Sequence, residues 1–314
     1  MRLNELTIML IFSLLAIFPL VSCQNEAAIP DVYTPINIDG VASNKIVFWG
    51  HSAGRIVEPF IEEEINDISS SFNFEKCSVD GEKMLQIAAR QGSIPAYFHR
   101  ENCERPGRKF MIANEEHPLA SGFDGSAIPF SIVNGVNPCT INNVTGKITR
   151  VKKNFYFQPN DVDYFSLDSV NYIYTSAAIE FRYPFFTFFW CDQLVDRNNV
   201  ETLLEKYRIM VDFTGNDRFL IIGSIRGDTI SHKEVESKLS VAFAGHYFNA
   251  REYLVSEAIK DYSSFSASDR DLINIGSVPT VWMKDEVHLN NKGASLVAKE
   301  AMRLFEAQFL QVEQ

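Results

Sequence analysis

Basic residues are under-represented in this 314-residue sequence, in which 29 Lys and Arg face 40 Asp and Glu and the formal net charge is −11 at pH 7. A nucleic-acid-binding protein needs cationic side chains to neutralise phosphates, so we expect no nucleic-acid partner. The five cysteines include no Cys-x-x-Cys pair, which removes the spacing of a common class of metal site. The sequence therefore predicts neither a nucleic-acid-binding protein nor a metalloprotein.

The N-terminal apolar run, residues 6–20, is too short for a comfortable membrane span. It follows Arg2 and is typical of the hydrophobic region of a signal peptide. The run ends in Leu20-Val21-Ser22-Cys23, which resembles the lipobox of bacterial lipoproteins. That resemblance predicts a signal peptide over residues 1–23 and a lipid on Cys23, which would anchor the protein to a membrane of the bacterial cell envelope. An ordinary secretory signal that happens to carry a cysteine is the alternative, and it predicts a secreted protein.

Residues 24–44 are polar and contain Pro30 and Pro35, as is typical of a tether. We expect one domain over residues 45–314, a length that a single large domain can have. Export would permit disulfides among the four cysteines of this domain, and the sequence leaves their pairing open. These cysteines are Cys77, Cys103, Cys139 and Cys191.

Apolar runs of strand length alternate with helical periodicity through most of the domain. A strand is predicted over residues 46–49, and an amphipathic helix follows it over residues 57–68. The continuous apolar run 185–190 predicts a strand that is buried on both faces. Further alternation continues to a helix predicted around residues 293–305. This pattern predicts an α/β protein with a mostly parallel sheet.

Helical periodicity is missing between residues 93 and 167. Turn pairs such as Pro106-Gly107 and Asn134-Gly135 separate short runs of strand-forming residues in this region. We therefore predict a β-rich insertion within the α/β domain.

Two segments at opposite ends of the domain carry residues suited to nucleophilic catalysis. Asp285 and His288 are three residues apart, so the carboxylate can hold the imidazole Nδ1–H and leave the other ring nitrogen free as a base. Ser52 follows the first strand at the start of a helix, where backbone N–H groups favour a developing negative charge. Each residue alone has a structural explanation, as a turn serine, a loop histidine or a helix-capping aspartate. Together they predict a Ser-His-Asp triad.

Three motifs together resemble the SGNH (GDSL-type) hydrolases. They are Gly50-His51-Ser52, Gly81 before Gln86-Ile87-Ala88-Ala89-Arg90-Gln91-Gly92, and Asp285-x-x-His288-Leu289-Asn290. The stretch around Gly81 resembles a bacterial subgroup with a β-rich insertion between its second and third motifs. The resemblance implies a flavodoxin-like three-layer α/β/α fold that needs no cofactor. It also implies that Ser52 is the nucleophile, His288 the base and Asp285 its partner, and that the N–H groups of Ser52 and Gly81 hold the oxyanion.

The sequence departs from this family's pattern at two places. His51 stands where the family has Asp before the serine, and it is either a substitute for that Asp or a sign of relaxed function. The family's third motif, Gly-x-Asn after a central strand, corresponds to Asp192-Gln193-Leu194, which lacks both the Gly and the Asn. Asn198 is the candidate substitute for the missing side-chain donor to the oxyanion.

The segment around Ser52 also fits the motif of a different hydrolase fold. Gly50-x-Ser52-x-Gly54 fits the nucleophile elbow of α/β-hydrolases literally, but that fold has several strands before the elbow and takes its Asp and His from separate loops. The sequence thus favours an exported serine ester hydrolase, an esterase or deacetylase that acts on a small-molecule or glycan ester such as an O-acylated carbohydrate. The alternative is a catalytically weak or inactive SGNH-like protein that binds a glycan or a partner at the cell surface.

Overall fold

The computed structural model describes residues 44–99, 110–113, 136–151, 154–160, 168–191 and 200–310. All of these residues belong to one compact unit, Ala42–Gln314. The predicted signal peptide, Cys23 and residues 24–43 of the predicted tether lie outside the described residues. Within the described ranges, no helix has both the length and the apolar character needed to cross a membrane.

Strands and helices alternate in the described chain except between β3 and β8, where six strands follow one another. The strands are β1 (Lys45–Gly50), β2 (Asn73–Ser78), β3 (Ala96–His99), β4 (Phe110–Ala113), β5 (Cys139–Ile141), β6 (Val144–Val151), β7 (Asn154–Pro159), β8 (Val170–Thr175), β9 (Phe186–Trp190), β10 (Phe219–Ile222) and β11 (Tyr247–Phe248). The α-helices are α1 (Ser52–Ile68), α2 (Met84–Gln91), α3 (Ser176–Glu180), α4 (Val200–Phe213), α5 (Thr229–Ala242), α6 (Ala250–Ser256), α7 (Ala267–Asn274) and α8 (Asn291–Phe305). Short 3₁₀ helices span Ala258–Asp261 and Thr280–Trp282, and a π-helical turn spans Glu306–Leu310.

Five parallel strands form the central sheet, in the order β11–β10–β9–β1–β2. The two strands in its middle, β1 and β9, are buried along almost their whole length. Continuous burial is expected of parallel strands that are covered on both faces. The prediction of an α/β protein with a mostly parallel sheet is confirmed.

Alternate side chains of the central sheet enter two separate hydrophobic clusters, because successive residues of a strand point to opposite faces. One face packs against α1 and α8 through side chains that include Ile46, Phe48, Phe186, Phe188 and Leu220. The other face packs against α2, α4 and α5 through side chains that include Val47, Trp49, Phe189 and Ile221. Helices therefore cover both faces of the sheet.

A second, antiparallel sheet has the order β3–β8–β5–β6–β7–β4. Its β5–β6 hairpin turns at Asn142 and Asn143, which both have positive φ angles, 48° and 62°, as a two-residue type I′ turn requires. The sheet begins at Ala96 and ends at Thr175, so β8 lies beyond residue 167, where the predicted insertion ends. The strand passes without a break into α3, because the Thr175 hydroxyl accepts the Ala178 N–H at 2.9 Å and caps the helix.

Candidate active site

Ser52 is the first residue of α1 and lies just beyond the carboxyl end of β1. β1 pairs with β2 on one side and with β9 on the other. The chain order therefore reverses at β1. In open parallel sheets, ligands bind outside the carboxyl ends of the strands at such a reversal. The fold thus places Ser52 at the edge of the sheet where a ligand is expected.

His51 caps the helix that carries Ser52. Its Nδ1 accepts the Ala53 N–H at 3.2 Å, and its own backbone N–H donates to the Trp190 carbonyl at 3.3 Å. Asp, Asn, Ser and Thr usually supply the acceptor at this position of a helix. An imidazole nitrogen without a proton serves here instead, so His51 has a structural role at the start of α1.

The two glycines around Ser52 allow close packing of α1 on the sheet. A Cβ atom on either Gly50 or Gly54 would lie 2.7 Å from Ser78 Oγ, and one on Gly54 would also lie 2.7 Å from the Phe48 ring. Both distances are too short for non-bonded atoms. The Gly-x-Ser-x-Gly pattern therefore has a steric origin in this fold, where β1 is the first strand that the structure describes.

A continuous chain of hydrogen bonds joins the three residues predicted as a triad. His288 Nε2 lies 2.9 Å from Ser52 Oγ, and His288 Nδ1 lies 2.9 and 3.0 Å from the two carboxylate oxygens of Asp285. The Asp285 side chain is 46% exposed and that of His288 is 28% exposed. The structure therefore brings together the predicted nucleophile, base and acid in the order that a triad requires.

Asp285 is held by the turn in which it lies. Its Oδ1 accepts the N–H groups of Val287 and His288, both at 2.9 Å, and the Lys284 N–H donates to the His288 carbonyl at 2.8 Å. The Val287 N–H and the His288 side chain lower the pKa of Asp285, because hydrogen bonds favour the ionised carboxylate. The turn therefore presents a carboxylate to the Nδ1 side of the imidazole.

Asn290 and Gly293 fix this turn to the core through α8. Asn290 Oδ1 accepts the N–H groups of Lys292 and Gly293, and its Nδ2 donates to the Val281 carbonyl at 2.8 Å. A Cβ atom on Gly293 would lie 2.5 Å from the Trp282 carbonyl oxygen, so only glycine allows this approach. The helix that follows buries its apolar face on the sheet, as its periodicity predicts.

The two backbone N–H groups predicted as oxyanion donors follow the carboxyl ends of β1 and β2. Gly81 lies in the loop between β2 and α2 with a φ of +78°, and the Val79 N–H ties that loop to the Gly50 carbonyl at 3.0 Å. Within the ranges that the structure describes, the N–H groups of Ser52 and Gly81 donate to no protein acceptor. The Ser52 N–H also lies in the first turn of α1, where the helix dipole favours negative charge.

The third predicted oxyanion donor lies outside the described residues. Asn198 and the Asp192-Gln193-Leu194 segment belong to residues 192–199. Their role stays a prediction from the sequence.

Sequence reasoning missed three buried ionisable side chains close to this site. Arg90 is fully buried and pairs with Glu82, and Glu58 of α1 is 3% exposed. Burial raises the pKa of Glu58 to about 7, and its Oε1 accepts the Ser78 N–H at 2.9 Å. The signal for the ion pair was present, because Arg90 directly follows the apolar stretch Ile87-Ala88-Ala89 and a buried cation requires an anion.

The remaining cysteines and histidines supply no second site in the described part of the chain. Cys77, Cys139 and Cys191 are buried thiols, whereas Cys103 lies outside the described residues. Among the described His, Cys, Asp and Glu, no group of three could hold a metal ion. His246 stacks on the Phe219 ring with 4.4 Å between centroids, which is a packing role.

Comparisons with known proteins assign the chain to no family. No protein-family model matches it, and searches of curated proteins and of solved structures gave no significant match.

Proposed function

We propose that this chain is an exported serine ester hydrolase with an active site of the SGNH type. One observation carries the proposal: an unbroken hydrogen-bonded chain runs from the Asp285 carboxylate through both nitrogens of His288 to Ser52 Oγ. Ser52 and His288 are 236 residues apart in sequence, so the tertiary structure creates this contact. A helix-start serine with a purely structural role has no need of a base that is itself held by a carboxylate.

The arrangement of the central sheet supports the fold part of the proposal. If its five strands are numbered among themselves, their spatial order is 2-1-3-4-5. This is the order of flavodoxin-like sheets, which place their ligand where strands 1 and 3 adjoin. Ser52 follows the first of these strands, so the proposed nucleophile lies at the expected crevice.

The geometry supports a two-step acyl transfer. Ser52 Oγ attacks the ester carbonyl while His288 Nε2 takes its proton, and Asp285 stabilises the imidazolium that forms. The N–H groups of Ser52 and Gly81 hold the negative oxygen of the tetrahedral intermediate. His288 returns the proton to the leaving alcohol, which departs and leaves an acyl group on Ser52. Water activated by His288 then releases the acid and restores the serine.

The substrate that we propose is an O-acylated carbohydrate. This part of the proposal is supported by the predicted export signal and by the family resemblance of the three motifs. Asn198 stays the proposed third donor to the oxyanion.

Hydrolysis of a short p-nitrophenyl ester by the purified domain tests the proposal. We expect Ser52→Ala and His288→Ala each to lower kcat/KM by about a thousandfold or more, because loss of one triad member disables the others. Ser240→Ala is the matched control, since Ser240 is exposed on α5.

Two outcomes would contradict the hydrolase. Either the two variants keep the wild-type rate, or the wild type is inert and binds a glycan saturably in a way that Ser52→Ala leaves untouched. The second outcome would establish the surface-binding alternative.

A further inference from the structure

A buried ion pair lies directly behind the loop that carries Gly81. Arg90 Nε donates to Glu82 Oε1 at 2.8 Å, and Arg90 Nη2 donates to Glu82 Oε2 at 2.7 Å. The same Nη2 donates to the Cys77 carbonyl at 2.5 Å, and the guanidinium lies 5.2 Å from the centroid of the Trp49 ring. One side chain of α2 therefore links the ends of β1 and β2 to the residue that follows Gly81.

Net stabilisation is a poor explanation for this pair. Arg90 is 0% exposed and Glu82 is 3% exposed, so both charges lose their hydration in the folded protein. Attraction inside a protein often only repays that desolvation, and an apolar pair of similar volume would serve the core equally well. A two-pronged Arg–carboxylate contact does fix geometry strictly, because both hydrogen bonds must be aligned at once.

Glu82, whose geometry this contact fixes, directly follows Gly81. The backbone N–H of Gly81 donates to no acceptor in the described ranges. Gly81 has a φ of +78°, a conformation that glycine adopts without strain and that sets the direction of its N–H. On its other side, Asp80 pairs with Arg55 at 2.8 Å, but those two side chains are 62% and 60% exposed. Gly81 thus lies between two ion pairs, the buried Glu82–Arg90 pair and the exposed Asp80–Arg55 pair.

We propose that the Glu82–Arg90 pair is a positioning device that aims the Gly81 N–H at the oxyanion. The inference rests on the proposed hydrolase function and adds two residues to its machinery. Neither residue touches the substrate; they act by holding the loop, so that the donor is in place before the negative charge develops. A donor that is already in place is what makes an oxyanion hole effective.

Kinetics of Glu82→Gln on a short p-nitrophenyl ester test the inference, since the amide keeps the size of the side chain and removes its charge. We expect kcat to fall by about a hundredfold, as it does when one oxyanion donor is lost, and KM to change by less than about threefold. Arg90→Lys keeps the positive charge but cannot make both hydrogen bonds to the Glu82 carboxylate, and we expect kcat to fall in this variant too. Asp80→Asn removes the exposed ion pair with Arg55, and we expect its kcat to stay within about twofold of the wild type.

A boronic acid that forms a tetrahedral adduct on the serine gives a second readout. Its inhibition constant should rise by the same factor as kcat falls in Glu82→Gln and Arg90→Lys, whereas a purely structural role would lower the melting temperature and leave that constant unchanged. Wild-type kinetics in both variants would overturn this inference and leave the proposed hydrolase function standing. If both variants fail to fold, a role confined to Gly81 is also overturned. An inert wild type overturns the hydrolase and, with it, this inference, so the two failures are distinguishable.

Discussion

Ser52 and Asp285 join one hydrogen-bonded chain from regions of opposite character. Ser52 follows a strand that is buried almost throughout, and its helix packs closely enough on β1 and β2 to exclude any side chain at Gly54. Asp285 lies on an exposed turn and is held by the N–H groups of its own neighbours. The core therefore sets the position of the nucleophile, whereas local hydrogen bonds set the position of the acid.

This difference separates the effects of mutation. Changes on the serine side should alter folding stability, because they act on packed groups. Changes on the exposed turn should alter the chemistry while the fold persists, because few core contacts depend on them. Four substitutions test the comparison.

Asp285→Asn should have the largest effect. An amide cannot hold the imidazole in the tautomer that leaves Nε2 free to accept a proton, so we expect kcat to fall by roughly a hundredfold to ten-thousandfold. The melting temperature should stay near that of the wild type, because the side chain is half exposed. Steady-state hydrolysis and thermal unfolding of the same sample measure both. A variant that unfolds would show that the turn is part of the core.

Glu58→Gln should change stability and its pH dependence on the serine side. The folded pKa of about 7 lies above the ordinary 4.5, so the folded protein keeps a proton that the unfolded chain loses as the pH rises between these values. The stabilising contribution is therefore complete below pH 4.5 and is lost as the pH rises through 7. The loss amounts to at most about 3 kcal/mol in the free energy of unfolding.

Urea unfolding at pH 5 and pH 8 measures this effect. Glu58→Gln should remove most of the difference between the two pH values, and it should be more stable than the wild type at pH 8. Glu63→Gln, on the exposed side of the same helix, is the control and should keep the wild-type pH dependence. An unchanged pH dependence in Glu58→Gln would contradict the burial argument.

Gly293→Ala tests whether the exposed turn has a core support. The added Cβ would lie 2.5 Å from the Trp282 carbonyl oxygen, and such overpacking costs about 1–3 kcal/mol. A shift of Trp282 would also displace the turn that carries Asp285 and His288, so kcat should fall together with the melting temperature. Lys299→Ala on the exposed face of α8 is the matched control and should change neither. A Gly293→Ala variant with full activity and stability would mean that the helix can shift freely.

His51→Ala should have the smallest effect. It removes the acceptor for the Ala53 N–H, and loss of a helix N-cap costs about 1 kcal/mol. His51→Asn keeps an acceptor and should restore most of the stability in a thermal melt. Equal losses in both variants would show that the imidazole acts through packing and not through its hydrogen bond.

Local patterns in the sequence predicted much of the architecture and the three residues of the proposed triad. β1 and β9 match the strands predicted over residues 46–49 and 185–190, and the helix predicted around residues 293–305 matches α8 closely. These predictions succeeded because periodicity and turn chemistry depend on neighbours within a few residues. Asp285 and His288 were predictable for the same reason, since they share one turn.

The tertiary structure decided what depends on distant partners. His51 could be recognised as a helix cap only when its Nδ1 was seen against the Ala53 N–H. The raised pKa of Glu58 and the choice of Glu82 as the partner of Arg90 also depend on the fold, because they follow from how the sheet and the helices pack. The contact of 2.9 Å between Ser52 and His288 is likewise a product of the fold, since α1 and α8 pack on the same face of the central sheet and bring Ser52 close to the turn before α8.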